Sequence, residues 1–231
     1  MCAERIAPRD PRAALRKAVA ALKVFPLHGA VVLPGTPAPF HVFEPRYKDL
    51  VHDALHGDRV VAIPNLFAKA DAHAPRPLLR PVCGAGLIEG HHRLDDGRYD
   101  IVVRGVARVR LLEELPQARS YREFKAEILE DRLPPGGARA LDPQVEALRQ
   151  IVYELSTKLP KETGAPQLAE AVAQMKDASA MVDLVTAAAV SDPDARQEVL
   201  EELDLARRLR YVVEEVAGVV LVLSCGRKPS A

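Results

Sequence analysis

Two patterns of apolar residues divide the chain. Between Leu22 and Glu130, short apolar or β-branched runs recur: LKVFPL (22–27), AVVL (30–33), APFHVF (38–43), RVVAIP (59–64), GAGLIEG (84–90), RYDIVV (98–103), ARVRLLEE (107–114) and YREFKAEILE (121–130). Turn residues separate them at roughly regular spacing, which predicts a mainly antiparallel β domain. Asp95-Asp96-Gly97 is the clearest hairpin signal, because glycine after aspartate supplies the positive φ of a tight turn. One helix interrupts the strands. After Phe40 to Phe43 the chain meets Glu44-Pro45, and Tyr47, Leu50, Val51, Ala54 and Leu55 then fall at helical spacing, which predicts a helix over 45–56. Pro45 has no N–H and a fixed φ near the helical value, so it suits the first helical position. Glu44, held extended before the proline, brings a carboxylate to the positive end of the helix. A short helix over 11–22, with Asp10 as its cap and Pro11 at its start, precedes the first strand.

Beyond LPPGGARALDP (133–143) the period changes. Two prolines and two glycines sustain neither helix nor sheet there. Val145, Leu148, Val152, Leu155 and Leu159 then mark one face of a helix capped by Asp142 and opened by Pro143. Short helices follow over 166–175 and 178–190. Asp192-Pro193 repeats the capping device and opens a single long helix to about Cys225, with Leu203, Leu209, Val213, Val216 and Val220 on its buried side. The expected organisation is a tail and short helix (1–21), a β domain (22–132), a linker (133–141), a helical bundle (142–226) and a short tail (227–231).

Composition narrows the classes. Of 231 residues 48% are apolar, enough for a core, but only 4% are aromatic and none is Trp, so aliphatic side chains must fill it. Basic and acidic residues balance at 32 each, which offers no bulk attraction to a polyanion. Three scattered cysteines, Cys2, Cys83 and Cys225, make neither a disulfide framework nor a CxxC metal pair and point to a reducing compartment. The N-terminus lacks the apolar core of a signal peptide, and Ala217 to Leu223 is too short to span a bilayer. A cytoplasmic protein with no membrane partner is expected.

Candidate chemistry is sparse. His52-Asp53-Ala54-Leu55-His56 has the spacing of a zinc-binding HExxH helix, with Asp in place of the general-base Glu and the helix ending at Gly57. The expectation is a solvated helix face. Metal binding at His52 and His56, and with it a metal-dependent hydrolase on the Asp49/His52/Asp53/His56 face, ranks last among the functional readings. His91 and His92 are adjacent on a strand and point to opposite faces. Cys83 sits in an apolar run and reads as a buried structural thiol. No phosphate-binding glycine loop and no nucleophile elbow occur, so neither an enzyme nor a cofactor is expected. Arg104, Arg108, Arg110, Arg119 and Arg122 make RNA binding the alternative, although only Tyr99 and Tyr121 lie near them as stacking aromatics. The loop from Asn65 to Pro81 is long for a compact β domain, and long loops tend to be functional or disordered. Asn65, Leu66, Phe67, Leu78 and Leu79 are its candidate contacts to extended peptide, together with free strand edges to which a peptide can add.

The order of several motifs resembles one family. Phe25-Pro26-Leu27, Val32-Leu33-Pro34-Gly35 and Phe43-Glu44-Pro45-Arg46-Tyr47 resemble the opening of the LON substrate-binding domain, the N-terminal domain of ATP-dependent Lon proteases. Val82-Cys83-Gly84-Ala85-Gly86 is similar to its glycine-spaced strand, Asp96-Gly97-Arg98 and Val102 to Val109 to its hairpin, and Asp183-Leu184-Val185 and Arg196 to Asp204 to its helices. The resemblance covers roughly 22–220. It implies an α+β fold, a PUA-like antiparallel β pseudo-barrel followed by an all-helical bundle with a long C-terminal helix. It makes Glu44, Pro45 and Arg46 a structural corner, with Arg46 paired to Glu44 or another carboxylate. The chain ends where the family's ATPase would begin, as in stand-alone LON-domain proteins. The implied function is a non-catalytic protein- or peptide-binding module for unfolded or extended polypeptide, acting alone, as an adaptor, or with a partner ATPase or protease.

Overall fold

A computed structural model describes residues 10–67 and 76–226, and the chain divides into two compact units, Met1–Leu129 and Glu130–Ala231. Among the described residues the first unit is built on six strands, β1 (Leu22–Val24), β2 (Pro37–Val42), β3 (Val60–Ile63), β4 (Val82–Arg93), β5 (Tyr99–Glu114) and β6 (Arg122–Leu129). Their order is β2-β5-β4-β3-β1-β6, and a further β5–β6 pairing closes β1, β3, β4, β5 and β6 into a barrel. β2 extends the sheet beyond β5. All pairings are antiparallel except β1 with β3, which run parallel. The two runs expected at 98–103 and 107–114 are one strand, β5, long enough to pair with β2 at its start and β6 at its end. Gly97, at φ 78°, turns the β4–β5 hairpin, where the N–H of Leu94 donates to the carbonyl of Arg98.

Alternate strand residues build two cores. Leu22, Val24, Val60, Ala62, Cys83, Ala85, Ala107 and Val109 pack with Leu15 and Ala18 of α1 (Pro11–Ala18). Asp10 Oδ1 caps α1 by accepting from the N–H groups of Arg12 and Ala13. The helix stops short of the expected Leu22 because Leu22 to Val24 are taken up in β1. The other core joins Val61, Ile63, Ile88, Ile101 and Val103 to Tyr47, Leu50, Val51 and Ala54 of α2 (Pro45–His56).

Ala30 to Leu33, expected as a strand, is not one. Its backbone lies on β4 and β5. A Cβ on Gly84 would come 1.8 Å from the Val32 carbonyl oxygen, and one on Gly105 would come 2.1 Å from that of Leu33. The glycines in these strands therefore admit a crossing chain, as glycine does wherever two backbones touch.

The second unit holds α3 (Asp142–Lys158), α4 (Ala165–Gln174), α5 (Ala178–Ala189), α6 (Pro193–Glu201) and α7 (Leu205–Ser224) around a core that includes Leu148, Val152, Val172, Met181, Val185, Leu209 and Val216. The segment expected as a linker contains a 3-10 turn, Gly137–Leu141, which runs into α3. Asp142 is thus a first-turn residue of α3 rather than its cap. The expected single helix from Asp192 is two. Leu203 accepts from the N–H of Arg132 at 2.7 Å, and Leu205 donates to the Arg132 carbonyl at 3.1 Å. The chain there is held as a strand-like bridge, and Asp204 Oδ1 caps α7 by accepting from the N–H groups of Ala206 and Arg207. Arg208, the next turn along, is fully buried and binds Asp131 through both Nη atoms.

No helix among the described residues is long and apolar enough to cross a membrane.

Candidate functional site

The ends of the 65–81 loop form a short antiparallel stem. Leu66 bridges Leu79, the N–H of Phe67 donates to the Leu78 carbonyl at 3.4 Å, and the N–H of Arg80 donates to the Asn65 carbonyl at 2.9 Å. Asn65 is the anchor. It is buried, and its Oδ1 accepts from the N–H groups of Gly29 and Leu66, both at 2.9 Å. Leu66 is buried as well, and Leu79 packs against the core that contains Leu15 and Cys83. Of the five expected contacts the stem therefore presents two. Phe67 is 57% exposed and Leu78, opposite it on the stem, is 69% exposed. The Arg80 guanidinium lies 5.5 Å from the Phe67 ring centroid. The part of this loop over 68–75 lies outside the described residues.

Just past the stem, the same loop closes one wall of a pocket of about 290 Å³. Val24, Pro26 and Pro77 give it apolar sides. Arg46, Arg76 and Arg122 bring three guanidiniums to it, and Tyr47 lines it from α2. The Glu44-Pro45 corner positions two of these side chains. Pro45 opens α2 after the extended Glu44 (ψ 136°), and the Glu44 carboxylate accepts from Arg46 Nε and Nη2 at 3.0 and 2.8 Å. Arg46 in turn covers the Tyr47 ring at 4.7 Å, and that ring also packs on Phe25.

From β6, Arg122 forms a two-point pair with Glu114 (3.0 and 2.8 Å) and donates Nη1 to the Pro77 carbonyl. Arg76 adds one bond to Glu114 at 2.6 Å. The hydrogen bonds of Arg122, and then of Arg76, hold Glu114 below the ordinary carboxylate range. Burial pushes the Tyr47 phenol up, so it keeps its proton and remains a donor. Sequence reasoning missed this pocket. Tyr47 reads as a core residue of the α2 stripe, and nothing local joins Arg46, Arg76 and Arg122.

The His face of α2 is otherwise engaged. The His56 ring bonds the His52 carbonyl through Nδ1 at 2.7 Å, and the two rings stand 4.2 Å apart. Asp53, in the general-base position of the zinc motif, accepts from the Tyr121 hydroxyl at 2.8 Å, which holds it low and makes it a weak base. Among the described residues no group of three or more His, Cys, Asp or Glu is placed to hold a metal ion. Burial pushes the Cys83 thiol up, leaving it without thiolate character.

The arginines offered as an RNA face are matched by carboxylates: Arg104 by Glu89, Arg110 by Glu127, Arg119 by Asp53 and Arg122 by Glu114. Arg108, expected on that face beside Arg110, is buried. Strand addition is also constrained. Among the described residues β2 pairs with β5 alone, but Pro37 and Pro39 have no N–H. The amides of 38, 40 and 42 thus serve the ladder to β5, and the outward phase keeps one amide, that of His41.

The model of the ATP-dependent protease La (LON) substrate-binding domain matches residues 21–218. Among curated proteins, the chain is 31% identical to Lon protease 2 of Thermus thermophilus and 30% identical to the Lon protease of Roseiflexus castenholzii, over 90% of this chain and 25% of each relative. It is 22% identical to the Lon protease of Desulfosudis oleivorans over 89% of this chain and 25% of that protein. The chain thus spans about a quarter of the length of the curated relatives it matches. Among solved structures, the N-terminal domain of a Mycobacterium avium complex Lon protease superposes with a TM-score of 0.66 at 17% identity, covering 85% of this chain and 98% of that one. A Lon N-terminal domain protein from Xanthomonas campestris gives 0.57 at 20% identity, covering 84% and 97%.

Proposed function

The chain belongs to the LON substrate-binding domain family, and on that premise we propose that it is a non-catalytic module that recognises unfolded or extended polypeptide. The exposed Phe67–Leu78 pair carries this reading. Two large apolar side chains stand side by side on a stem whose other residues are fixed in the fold. Such a pair recovers the hydrophobic free energy of its exposed surface only when something apolar covers it. An extended chain supplies apolar side chains without a shaped partner surface. The relatives matched are Lon proteases, so handing a bound chain to an ATP-driven protease, as an adaptor or as part of one, belongs to the same reading. We place this work in the cytoplasm, in keeping with the unpaired Cys83 and Cys225.

The test is binding of fluorescein-labelled, carboxymethylated α-lactalbumin, a permanently unfolded chain, to the full protein. Phe67→Ser with Leu78→Ser is expected to weaken binding roughly tenfold or more, from the loss of two apolar contacts, with the melting temperature unchanged. Leu66 is unsuited to this test because its side chain is core. Unchanged affinity in the double variant would sink the proposal.

A further inference from the structure

We propose that the arginine-rimmed pocket beside the Phe67–Leu78 stem receives a carboxylate of the bound polypeptide, from an acidic side chain or from the chain terminus. The inference rests on the polypeptide-binding reading and gives it a chemical preference.

Three observations carry it. The first is unfinished bonding. All three nitrogens of Arg122 are engaged, with both oxygens of Glu114 and the Pro77 carbonyl, so it serves as a strut. Arg46 uses Nε and Nη2 on Glu44, and Arg76 uses Nη2 on Glu114. Neither makes a further hydrogen bond to a described residue. Both keep donors in the fork geometry that matches a carboxylate.

The second is Tyr47. It is only 5% exposed and lines the pocket, yet its hydroxyl has no hydrogen-bond partner among the described residues. The phenol keeps its proton, so it offers a donor to a molecule in the pocket.

The third is charge. Arg46, Arg76 and Arg122 face the two carboxylates Glu44 and Glu114, which leaves one positive charge in excess. One carboxylate balances it, whereas a phosphate dianion overshoots. The pocket is of a size for one side chain or one chain end, at the small limit of ligand sites. Its apolar sides, Val24, Pro26 and Pro77, strengthen a charge-assisted bond made there.

The experiment uses the full chain and one apolar ten-residue peptide in three forms: amidated with an internal Gln, amidated with Glu in its place, and the Gln form with a free C-terminal carboxylate. Fluorescence anisotropy reads each dissociation constant. At least one charged form is expected to bind about tenfold more tightly than the neutral form, the size of one charge-assisted hydrogen bond. The form that gains identifies the source of the carboxylate. Tyr47→Phe, which keeps the ring on Phe25, and Arg76→Gln, at an exposed site, should each bring the charged peptides to the affinity of the neutral one. Phe67→Ser should weaken all three. Equal binding of all forms by the unaltered protein, or a preference that survives both substitutions, overturns the carboxylate pocket and leaves polypeptide binding standing. Failure of every form to bind overturns both.

Discussion

Arg208 in the helical unit is sealed from solvent. Its Nη atoms bind both oxygens of Asp131 at 2.7 Å, Ser179 Oγ at 2.8 Å and the Glu202 carbonyl at 3.0 Å, and its Nε faces Asp183 at 3.9 Å. Arg76 in the β unit is 60% exposed and holds one oxygen of Glu114. The two use the same ion-pair chemistry for different ends. A guanidinium buried among carboxylates must be matched, because an unmatched buried charge costs more than any single bond returns. A guanidinium at the rim of a pocket bears little cost for its open donors, because water serves them until a ligand arrives. In the buried cluster both Nη atoms are spent on bonds that fix the fold around Asp131, and Nε is left 3.9 Å from Asp183 without a hydrogen bond. In the exposed one, Arg76 keeps donors open to the proposed ligand.

The comparison breaks first at Arg208. Arg208→Met removes the guanidinium that Asp131 and Asp183 both approach, and we expect a loss of about 3–5 kcal/mol in urea unfolding. A loss below about 1 kcal/mol would mean that the buried cluster behaves like the exposed one. The same contrast recurs within two neighbouring residues of the stem. Leu66→Ala should cost about 2–4 kcal/mol as a core truncation, and Phe67→Ala should stay within about 0.5 kcal/mol; thermal melting of the two variants decides.

Glu114 gives a small effect and the one with a sign in pH. Its folded pKa is held below the ordinary 4.5 by Arg122 and Arg76. The stability from this pairing is therefore present above pH about 4.5 and lost as pH falls through the lower folded value. Glu114→Gln should cost about 1 kcal/mol or less at pH 7. Its stability curve should converge on that of the unaltered protein in acid, and curves that run parallel down to pH 3 would contradict this.

Local signals told the truth where they alone governed the chain. Pro45 and Gly57 bracket α2 in the sequence and in the fold, and Asp95-Asp96-Gly97 turns its hairpin. They failed where a distant segment intervened. The apolar spacing from Asp192 to Cys225 reads as one helix, but residues 203–205 bond to Arg132, and Asp204 caps the helix that restarts. AVVL reads as a strand, yet its backbone lies across Gly84 and Gly105. The candidate site shows the same limit. Asn65, Leu66, Phe67, Leu78 and Leu79 stand out in the sequence as a candidate loop, but only the stem pairing separates anchor from surface. The arginine pocket draws on α2, the loop and β6, so no local window in the sequence contains it.

Pro37 and Pro39 on the outer edge of β2 have a consequence for company. A protein whose proposed work is to hold unfolded chains meets segments that are themselves ready to form sheet. An edge with amides at every second residue would invite such a segment to zip on, and then the next, until the holder became the seed of a fibre. With two of its outward amides missing, this edge gives a growing sheet no regular foothold. On the proposed function, a captured chain stays a passenger, free to leave.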